Sequence, residues 1–111
     1  MTKPYVPGRG DIIFTNFDPS AGHEQAGQRP ALVLTLKVFN DATGLALVAP
    51  ITSTVRGHGM EVAVDTGNTK GVVLCQQIKM IDFDNRNTSF TEKAPDEVIK
   101  AVLLKTRVLL A

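Results

Sequence analysis

Four side chains able to do chemistry lie close together near the start of the sequence, at His23, Glu24, Gln25 and Arg29. Arginine carries a permanent charge on a planar fork that suits a phosphate group. Glutamate can accept a proton, and histidine and glutamine can position a substrate or donate to it. On spacing alone, a surface ion pair between Glu24 and Arg29 that shapes the loop is the favoured interpretation, because most such charges are solvated.

Two later segments carry further candidate side chains. Thr52 and Ser53 follow a predicted strand, and their hydroxyl groups could donate to a phosphate oxygen or, more simply, satisfy backbone groups at a turn. Gln77 and Lys79 alternate on one face of another predicted strand, where they could line a groove or face water. Cys75 follows an apolar run and is interpreted as a small buried residue rather than a nucleophile.

The sequence carries no recognisable motif for a metal or an organic cofactor. His23 and His58 are the only histidines, and they have no partner at a zinc-like spacing. The aspartates are scattered without the pattern of a calcium loop, and neither a P-loop nor a dinucleotide fingerprint is present. We therefore expect chemistry without a metal and without a cofactor.

Length and composition favour one globular domain over residues 1–111, since the chain has 111 residues of which 43% are hydrophobic. The net charge of +1 argues against a general polyanion binder, so a nucleic-acid surface would have to be local. A single cysteine allows no internal disulfide, which suits a reducing cytosol. No apolar run resembles a signal peptide or a membrane span, and a cytoplasmic location is expected.

Apolar segments separated by turn residues predict a protein made mainly of β-strands. The predicted strands cover residues 11–17, 31–36, 45–51, 60–64 and 72–81. Between them, residues 40–44 are turn-like and residues 54–59 form a loop. Pro50 is expected at a strand end or a bulge rather than in the middle of a ladder. Short strands at this spacing predict a small barrel or two curled sheets.

The end of the chain predicts a helix that caps the strands. Pro95 suits the first helical position, and Asp96 and Glu97 complement the helix dipole in the first turn. Apolar residues then recur at helical spacing, at Val98, Ile99, Val102, Leu103, Leu109 and Leu110. Leu104 and Val108 widen this stripe, so the helix could bury it on the sheet or on a second subunit.

Several segments together resemble the MazF/PemK family of toxin endoribonucleases. They are Gly10–Ile13, Phe17–Pro19, Gly22–Leu34, Val48–Ser53 and Gly71–Lys79, and the aliphatic tail that follows Ala94 and Pro95 also fits. The resemblance extends over nearly the whole chain, and the loop pattern GHEQAGQRP is highly specific in this context. It favours functional roles for Glu24, Arg29 and Thr52 over the simpler interpretations given above.

The resemblance implies a homodimer of SH3-like β-barrels, mainly β with a C-terminal amphipathic helix. It implies the toxin of a type II toxin–antitoxin system, a sequence-specific and metal-independent endoribonuclease that cleaves single-stranded RNA, chiefly mRNA, and so inhibits translation and growth. The products would be a 2′,3′-cyclic phosphate and a 5′-hydroxyl, because the 2′-hydroxyl of the RNA is the nucleophile. The implied partner is an antitoxin whose disordered acidic tail folds onto the toxin.

The catalytic positions of the family fall on Glu24, Arg29 and Thr52. Arg29 would stabilise the scissile phosphate, Thr52 would donate to its oxygens, and Glu24 would transfer a proton or orient Arg29. Contacts to RNA are expected from His23, Gln25, Ser53, Gln77 and Lys79. The RNA sequence that is cut would depend on the loops around residues 37–44 and 54–60.

One departure separates the branches of this family. The PemK-like branch has the His-Glu pair present at His23 and Glu24, but it also uses an arginine and an aspartate where this chain has Leu74 and Gln76. The MazF-like arrangement is therefore favoured, and His23 stays open as a base, a stacking contact or a loop-shaping residue. Two alternatives remain. One is a gyrase-binding toxin similar to CcdB, disfavoured because the chain lacks Trp, and the other is a homologue that binds RNA or antitoxin without cutting.

Overall fold

The computed structural model describes residues 4–19 and 21–111, which contain seven β-strands and two α-helices. The strands are β1 (Asp11–Asn16), β2 (Gln28–Val33), β3 (Leu45–Thr52), β4 (Glu61–Asp65), β5 (Lys70–Leu74), β6 (Lys79–Asp82) and β7 (Ser89–Lys93). The helices are α1 (Lys37–Thr43) and α2 (Asp96–Arg107), and short 3₁₀ turns occupy Cys75–Gln77 and Val108–Leu110. Neither helix has the length and apolar character needed to cross a membrane.

The strands form one antiparallel sheet of order β4-β5-β3-β2-β1-β7, with β6 paired to the first half of β3. The sheet curls far enough for the β4–β5 turn to reach β7 at the opposite edge. There the Glu92 carboxylate accepts hydrogen bonds from the hydroxyl groups of Thr66, at 2.7 Å, and Thr69, at 2.8 Å. The predicted fold, a mainly β small barrel with a C-terminal helix, is confirmed.

Both faces of the central strands are buried. Neighbouring residues of a strand point to opposite faces, so Ile12 and Leu32 belong to one core cluster while Ile13 and Ala31 belong to another. The first cluster also contains Val102 of α2, which covers that face of the sheet. Burial on both faces explains why β2 carries an unbroken apolar run rather than an alternating one.

β3 is the central strand, and it changes partner along its length. Its first half, Leu45–Val48, pairs with β6, and its last residues, Ile51 and Thr52, pair with β5. On β3, two residues lie between Val48, the last residue paired with β6, and Ile51, the first paired with β5. On the partner side, five residues lie between Val73 of β5 and Lys79 of β6. The excess leaves the sheet as the 3₁₀ turn Cys75–Gln77, so the single strand predicted over residues 72–81 is wrong at its middle.

Pro50 lies inside β3, opposite Ala31 of β2, rather than at a strand end. The N–H of Leu34 donates to the carbonyl of Leu47 at 2.8 Å, and hydrogen-bonded and non-hydrogen-bonded pairs alternate along an antiparallel ladder. Pro50 therefore occupies a non-hydrogen-bonded pair with β2, and its missing N–H faces the interruption between β6 and β5. The predicted strand end is wrong, and the irregularity that proline favours lies in the neighbouring segment instead.

The turn-like segment predicted over residues 40–44 is instead the second half of α1 and its cap. The side chain of Asn40 is fully buried, where Nδ2 donates to the carbonyls of Pro7 and Thr35 and Oδ1 accepts from the Thr35 hydroxyl. Asparagine and aspartate near a glycine favour a turn locally, but these tertiary hydrogen bonds stabilise the helix. Gly44 ends the helix with a left-handed φ of 73°.

Two further strands, β2 and β7, differ from the sequence-based prediction. β2 begins and ends about three residues earlier than the predicted 31–36, because it pairs with β1 from Gln28 onward. β7 has no predicted counterpart, since its sequence, SFTEK, lacks an apolar alternation. It is a strand because it pairs with β1 at the edge of the sheet.

The C-terminal helix α2 agrees with the prediction in position and polarity. Pro95 precedes it as the N-cap rather than as its first residue, and Asp96 and Glu97 lie in the first turn. Val98 and Val102 are buried against the sheet. The outer part of the apolar stripe is exposed, at Leu104, Val108, Leu109 and Leu110.

We expect Glu92→Ala to lower the free energy of unfolding by about 2 kcal/mol, because two hydroxyl donors lose their carboxylate acceptor. Urea denaturation followed by circular dichroism measures the change. Glu92→Gln keeps one acceptor oxygen and should lose less stability. Asp41→Ala removes an exposed carboxylate of α1 that forms no side-chain hydrogen bond with the described residues, and it is the control. Wild-type stability in Glu92→Ala would contradict a role for this contact in closing the sheet.

Candidate active site

A cleft of about 930 Å³ lies where the end of β3 meets three connecting segments. Those segments are the β1–β2 loop, the β3–β4 loop and the β4–β5 turn, and the 3₁₀ turn after β5 completes the lining. The lining side chains come from four stretches of chain, within residues 23–30, 51–58, 68–70 and 74–77. The central strand and the connections around it therefore build one concave surface.

The lining of this cleft is positively charged. Arg29, Arg56 and Lys70 carry cationic side chains, and His23 and His58 add two imidazole rings. None of the described residues that line the cleft is an aspartate or a glutamate. A chain with a net charge of only +1 thus concentrates cations at one place, which agrees with the expectation of a local surface for an anion.

Arg29 belongs to β2, where it pairs with Thr15 of β1. Its Nε donates to the carbonyl of Ala26 at 2.9 Å, so the backbone of the β1–β2 loop orients the guanidinium plane. Its two terminal amino groups form no hydrogen bond within residues 4–19 and 21–111. Those amino groups can bind a phosphate at two points. The guanidinium of Arg29 is therefore held at Nε by the loop backbone, and its terminal amino groups are available to bind a phosphate.

Thr52 is the last residue of β3 and lines the cleft. Its Oγ1 accepts a hydrogen bond from the N–H of Thr54 at 3.2 Å. A hydroxyl that accepts a hydrogen bond still holds its own proton, so Thr52 can donate to an anion. Ser53 lies beside it with an exposed side chain. The end of β3 thus presents two hydroxyl groups to the space in front of Arg29.

Gly71 of β5 allows this arrangement at the end of β3. A Cβ atom at Gly71 would lie 2.2 Å from the carbonyl oxygen of Thr52 and 2.9 Å from its carbonyl carbon. Both distances are too short for a real contact, and the φ of +151° is one that side chains rarely adopt. Glycine is therefore required where β5 approaches Thr52.

Glu24 lies outside the cleft. Its carboxylate accepts a hydrogen bond from the N–H of Ala21 at 2.6 Å, within the β1–β2 loop. The side chain lines a smaller pocket of about 230 Å³ beside the cleft. The two cavities share three glutamines, Gln25, Gln76 and Gln77. Glu24 is thus a neighbour of the cleft rather than part of its lining.

Spacing alone predicts an ion pair between Glu24 and Arg29, and this prediction is wrong. The two ion pairs among the described residues lie elsewhere, between His58 and Glu61 and between Lys93 and Asp11. Of the three predicted catalytic residues, Arg29 and Thr52 meet in one cleft and Glu24 lies in the adjoining pocket.

Most of the side chains expected to contact RNA lie in the cleft, namely His23, Gln25, Ser53 and Gln77. Lys79 does not line it. Its Nζ donates to the carbonyls of Phe17 and Pro19, at 3.3 and 3.2 Å. Lys79 therefore holds the first part of the β1–β2 loop and shares the smaller pocket with Glu24.

The fold adds cleft residues that the sequence does not single out, including Gln28, Asn68, Lys70 and Gln76. The β4–β5 turn has no local signal, because it reaches the cleft only through the pairing of β4 with β5 and of β5 with β3. Arg56 and His58 lie in the glycine-bearing loop predicted over residues 54–59. Residues 37–44, expected to influence the cut sequence, contribute nothing to the lining.

Glu61 holds the β3–β4 loop in place. Its carboxylate accepts the backbone N–H of Arg56 at 3.1 Å and of Gly57 at 2.9 Å, and it lies 3.5 Å from Nε2 of His58. Burial on its own raises the pKa of Glu61, but the two N–H donors and the charges of His58 and Arg56 outweigh it. The net effect is a lowered pKa, and the ionised carboxylate stabilises the loop that carries two cleft residues.

Cys75 is fully buried beside the cleft. Burial raises the pKa of its thiol to about 11, with a smaller opposing effect from the charge of Lys105. The thiol is therefore protonated at neutral pH and cannot act as a ready nucleophile. This agrees with the interpretation of Cys75 as a core residue.

The groups gathered in the cleft suit an anion. Arg29 offers a two-point donor, Thr52 and Ser53 offer hydroxyl donors, and Arg56 and Lys70 extend the positive surface. In the part of the chain that the structure describes, no three His, Cys, Asp or Glu side chains come together as metal ligands. Phosphate binding is the chemistry that this set of side chains supports best.

Gly71→Ala should lower the free energy of unfolding by about 3 kcal/mol, because the new methyl group collides with the backbone of Thr52. Chemical denaturation measures the loss. Gly59→Ala is the matched control, because a Cβ there meets nothing within 4 Å. Equal stability of the two variants would show that β5 does not approach Thr52 as closely as described.

Glu61→Gln should destabilise the protein at neutral pH, because one of the two N–H donors then faces an amide N–H rather than an oxygen. A carboxylate with a lowered pKa stabilises the fold above its ordinary value of 4.5 and loses that effect as the pH falls through the lowered value. The stability difference between wild type and Glu61→Gln should therefore shrink below about pH 4.5. Urea denaturation at pH 3 to 7 tests this, and a difference independent of pH would contradict it.

Comparison with known proteins agrees with the fold and the cleft. Residues 8–110 match the family of PemK-like, MazF-like toxins of type II toxin–antitoxin systems. The chain is 40% identical over 115 residues to the endoribonuclease toxin ChpB of Escherichia coli K12, with 98% of each protein covered. It is 36% identical over 110 residues to the endoribonuclease toxin MazF of the same organism, with 99% of each covered.

Solved structures of MazF toxins have the same fold as this chain. The crystal structure of MazF from Deinococcus radiodurans superposes with a TM-score of 0.92 at 39% identity, covering 96% of this chain and 98% of that one. MazF in the MazE–MazF structure from that organism gives a TM-score of 0.85 at 39% identity, covering 96% and 97%. The chain therefore belongs to the PemK-like, MazF-like toxins of type II toxin–antitoxin systems.

Proposed function

We propose that this protein is a sequence-specific endoribonuclease that cuts single-stranded RNA, chiefly mRNA, as the toxin of a toxin–antitoxin pair. The observation that carries the proposal is the cationic cleft with Arg29 and Thr52, in a chain whose relatives are named endoribonucleases. Cutting mRNA stops translation and growth, and it places the action of the protein in the cytoplasm. We propose that residues 1–111 form one toxin domain of this family.

In the proposed reaction the RNA supplies its own nucleophile. The 2′-oxygen attacks the adjacent phosphorus and the bond from phosphorus to the 5′-oxygen breaks, which leaves a 2′,3′-cyclic phosphate and a 5′-hydroxyl. One proton leaves the 2′-hydroxyl and one reaches the departing 5′-oxygen. The protein has to move these protons and stabilise the charge on the phosphate, which side chains can do without a metal. DNA lacks the 2′-hydroxyl and is not a substrate.

Arg29 and Thr52 are the proposed phosphate-binding groups. The free terminal amino groups of Arg29 and the hydroxyl proton of Thr52 support this assignment. Such donors stabilise charge that develops on phosphate oxygens in the transition state. We assign Arg29 to charge stabilisation rather than to proton transfer, because a guanidinium is not deprotonated in proteins. Ser53 supplies a second hydroxyl beside Thr52.

Glu24 is the proposed proton-transfer group, acting from the smaller pocket. One of its carboxylate oxygens accepts the Ala21 N–H, and the other makes no hydrogen bond within the described residues. That oxygen is free to accept a proton. A direct role of Glu24 in orienting Arg29 has no support, because Ala26 orients Arg29 instead. His23, which lines the cleft, is the alternative acceptor.

The cleft suits a short stretch of unpaired RNA. Its volume of about 930 Å³ is far larger than one phosphate group, and amide side chains lie among the cations, at Gln25, Gln28, Asn68 and Gln76. Amides can pair with the edges of bases, and those edges are accessible in single strands. We propose that the cations hold the RNA backbone while the amides and the 54–60 loop read the sequence.

We propose two protein partners for this chain. A cognate antitoxin would lay a disordered acidic tail on the cationic cleft and block RNA, and the MazE–MazF structure of the similar Deinococcus radiodurans protein supports such a partner. A second copy of the chain would form a homodimer and cover exposed apolar residues. The best candidates for that contact lie at the end of α2, at Leu104, Val108, Leu109 and Leu110.

Arg29→Ala should slow cleavage of single-stranded RNA in EDTA by at least about 100-fold, because the transition state loses its main charge partner. The rate at saturating RNA, followed with a labelled oligonucleotide, measures the effect. Lys100→Ala removes an exposed cation on α2 and should cleave at the wild-type rate. Unchanged cleavage by a folded Arg29→Ala variant would remove Arg29 from the mechanism.

An RNA with a single 2′-deoxy nucleotide at the cut site should resist cleavage at that bond, because the nucleophile is missing. Mass spectrometry of the products shows which bond breaks and which ends form. The unmodified RNA, treated in parallel with EDTA, is the control. Cleavage at the deoxy position would rule out the cyclic-phosphate route, and loss of activity in EDTA alone would rule out the metal-independent reaction.

A further inference from the structure

The 3₁₀ turn between β5 and β6 places two consecutive glutamines against the two walls of the cleft. Nε2 of Gln76 lies 3.2 Å from Nε2 of His58, on the β3–β4 loop. Gln77 turns the other way and meets the β1–β2 loop. This turn contains the extra residues that lie between β5 and β6, the two strands that pair with different parts of β3. The register of β3 with these two strands therefore fixes the position of the turn.

The side-chain amide of Gln77 makes two hydrogen bonds to the backbone of the β1–β2 loop. Its Oε1 accepts the N–H of Gln25 at 2.8 Å, and its Nε2 donates to the carbonyl of His23 at 3.1 Å. These two backbone groups lie immediately before and after Glu24. One side chain therefore fixes the chain on both sides of Glu24.

The other contacts of this loop do not tie Glu24 to the sheet. The carboxylate and the N–H of Glu24 both bond Ala21, in the same loop. Lys79 and Arg86 bond carbonyl groups of residues 16–19, at the start of the loop. The side chain of Glu24 is exposed, so packing does not hold it. Arg29 of β2 bonds the carbonyl of Ala26, two residues after Glu24. Among the described residues, Gln77 supplies the hydrogen bonds from outside the loop to the backbone groups that directly flank Glu24.

We propose that Gln77 is a positioning residue for RNA cleavage, which places Glu24 through the backbone on both sides of it. This inference rests on the proposed function, in which Glu24 transfers a proton. Proton transfer requires hydrogen-bond distance to the reacting oxygen, and a displacement of about 1 Å can cost about 100-fold in rate. Anchoring the backbone holds the residue in place and leaves a carboxylate oxygen free for the substrate.

Gln77→Met tests the proposal, because methionine has a similar length and no amide. In the free protein, the backbone N–H of Gln25 should exchange with solvent about tenfold faster, since its acceptor is lost. NMR of the ¹⁵N-labelled protein measures this exchange. The kcat for RNA cleavage should fall by about tenfold or more, while KM changes less than about threefold.

Gln76→Met is the matched control from the same turn, and Gln25 should exchange in it at the wild-type rate. Gln77→Glu keeps the acceptor for Gln25, loses the donor to His23 and should retain most of the protection at Gln25. If Gln77→Met does not fold, Gln77→Glu is the test variant. Fast exchange of the Gln25 N–H in Gln77→Glu would then count against the proposal.

Unchanged exchange at Gln25 in Gln77→Met overturns the proposal. A wild-type kcat with a raised KM and an altered cut sequence also overturns it, because that pattern indicates direct contact of Gln77 with RNA. The exchange measurement needs no RNA. If the wild-type protein cuts no RNA, the proposed function fails, and Gln25 exchange still decides whether Gln77 holds the loop.

Discussion

The change of partner along β3 is the constraint on which the rest of the structure depends. The strand pairs first with β6 and then with β5, and the excess residues between them leave the sheet as the turn Cys75–Gln77, opposite Pro50. The core holds this turn, because the side chain of Cys75 is fully buried. The backbone N–H of Cys75 also donates a hydrogen bond to the carbonyl of Met60 at 3.1 Å. The same register brings Gly71 against Thr52 and directs two glutamines to the cleft walls.

The second feature is the separation of charges around the cleft. Cations come to it from β2, the β3–β4 loop and β5, whereas none of the described aspartates and glutamates lines it. Glu61 accepts two backbone N–H groups, Glu92 accepts two threonine hydroxyls, and Glu24 accepts the N–H of Ala21. A nearly neutral chain can therefore present a strongly positive surface over a small area.

Residue type and resemblance select several side chains that the fold brings together, whereas local sequence pattern predicts their geometry less well. Arg29 and Thr52 lie in one cleft because each adjoins a strand that the sequence predicts, although both lie just outside the predicted ranges 31–36 and 45–51. Lys79 and Gln77 were expected on one face of a strand, but the turn separates them and Lys79 bonds loop carbonyls. Asn40 favours a turn locally and is helical because of tertiary hydrogen bonds. Lys70 enters the cleft through strand register, which no local pattern encodes.

The most direct test of the central claim is to incubate the pure protein with a long RNA in EDTA and identify every new 5′ end. Transesterification by the 2′-hydroxyl, stabilised by Arg29 and Thr52, predicts cuts at one short recurring sequence within unpaired segments. Each cut should leave a 5′-hydroxyl on one fragment and a 2′,3′-cyclic phosphate on the other. RNA that stays intact, or fragments that carry 5′-phosphates, would contradict the proposed chemistry.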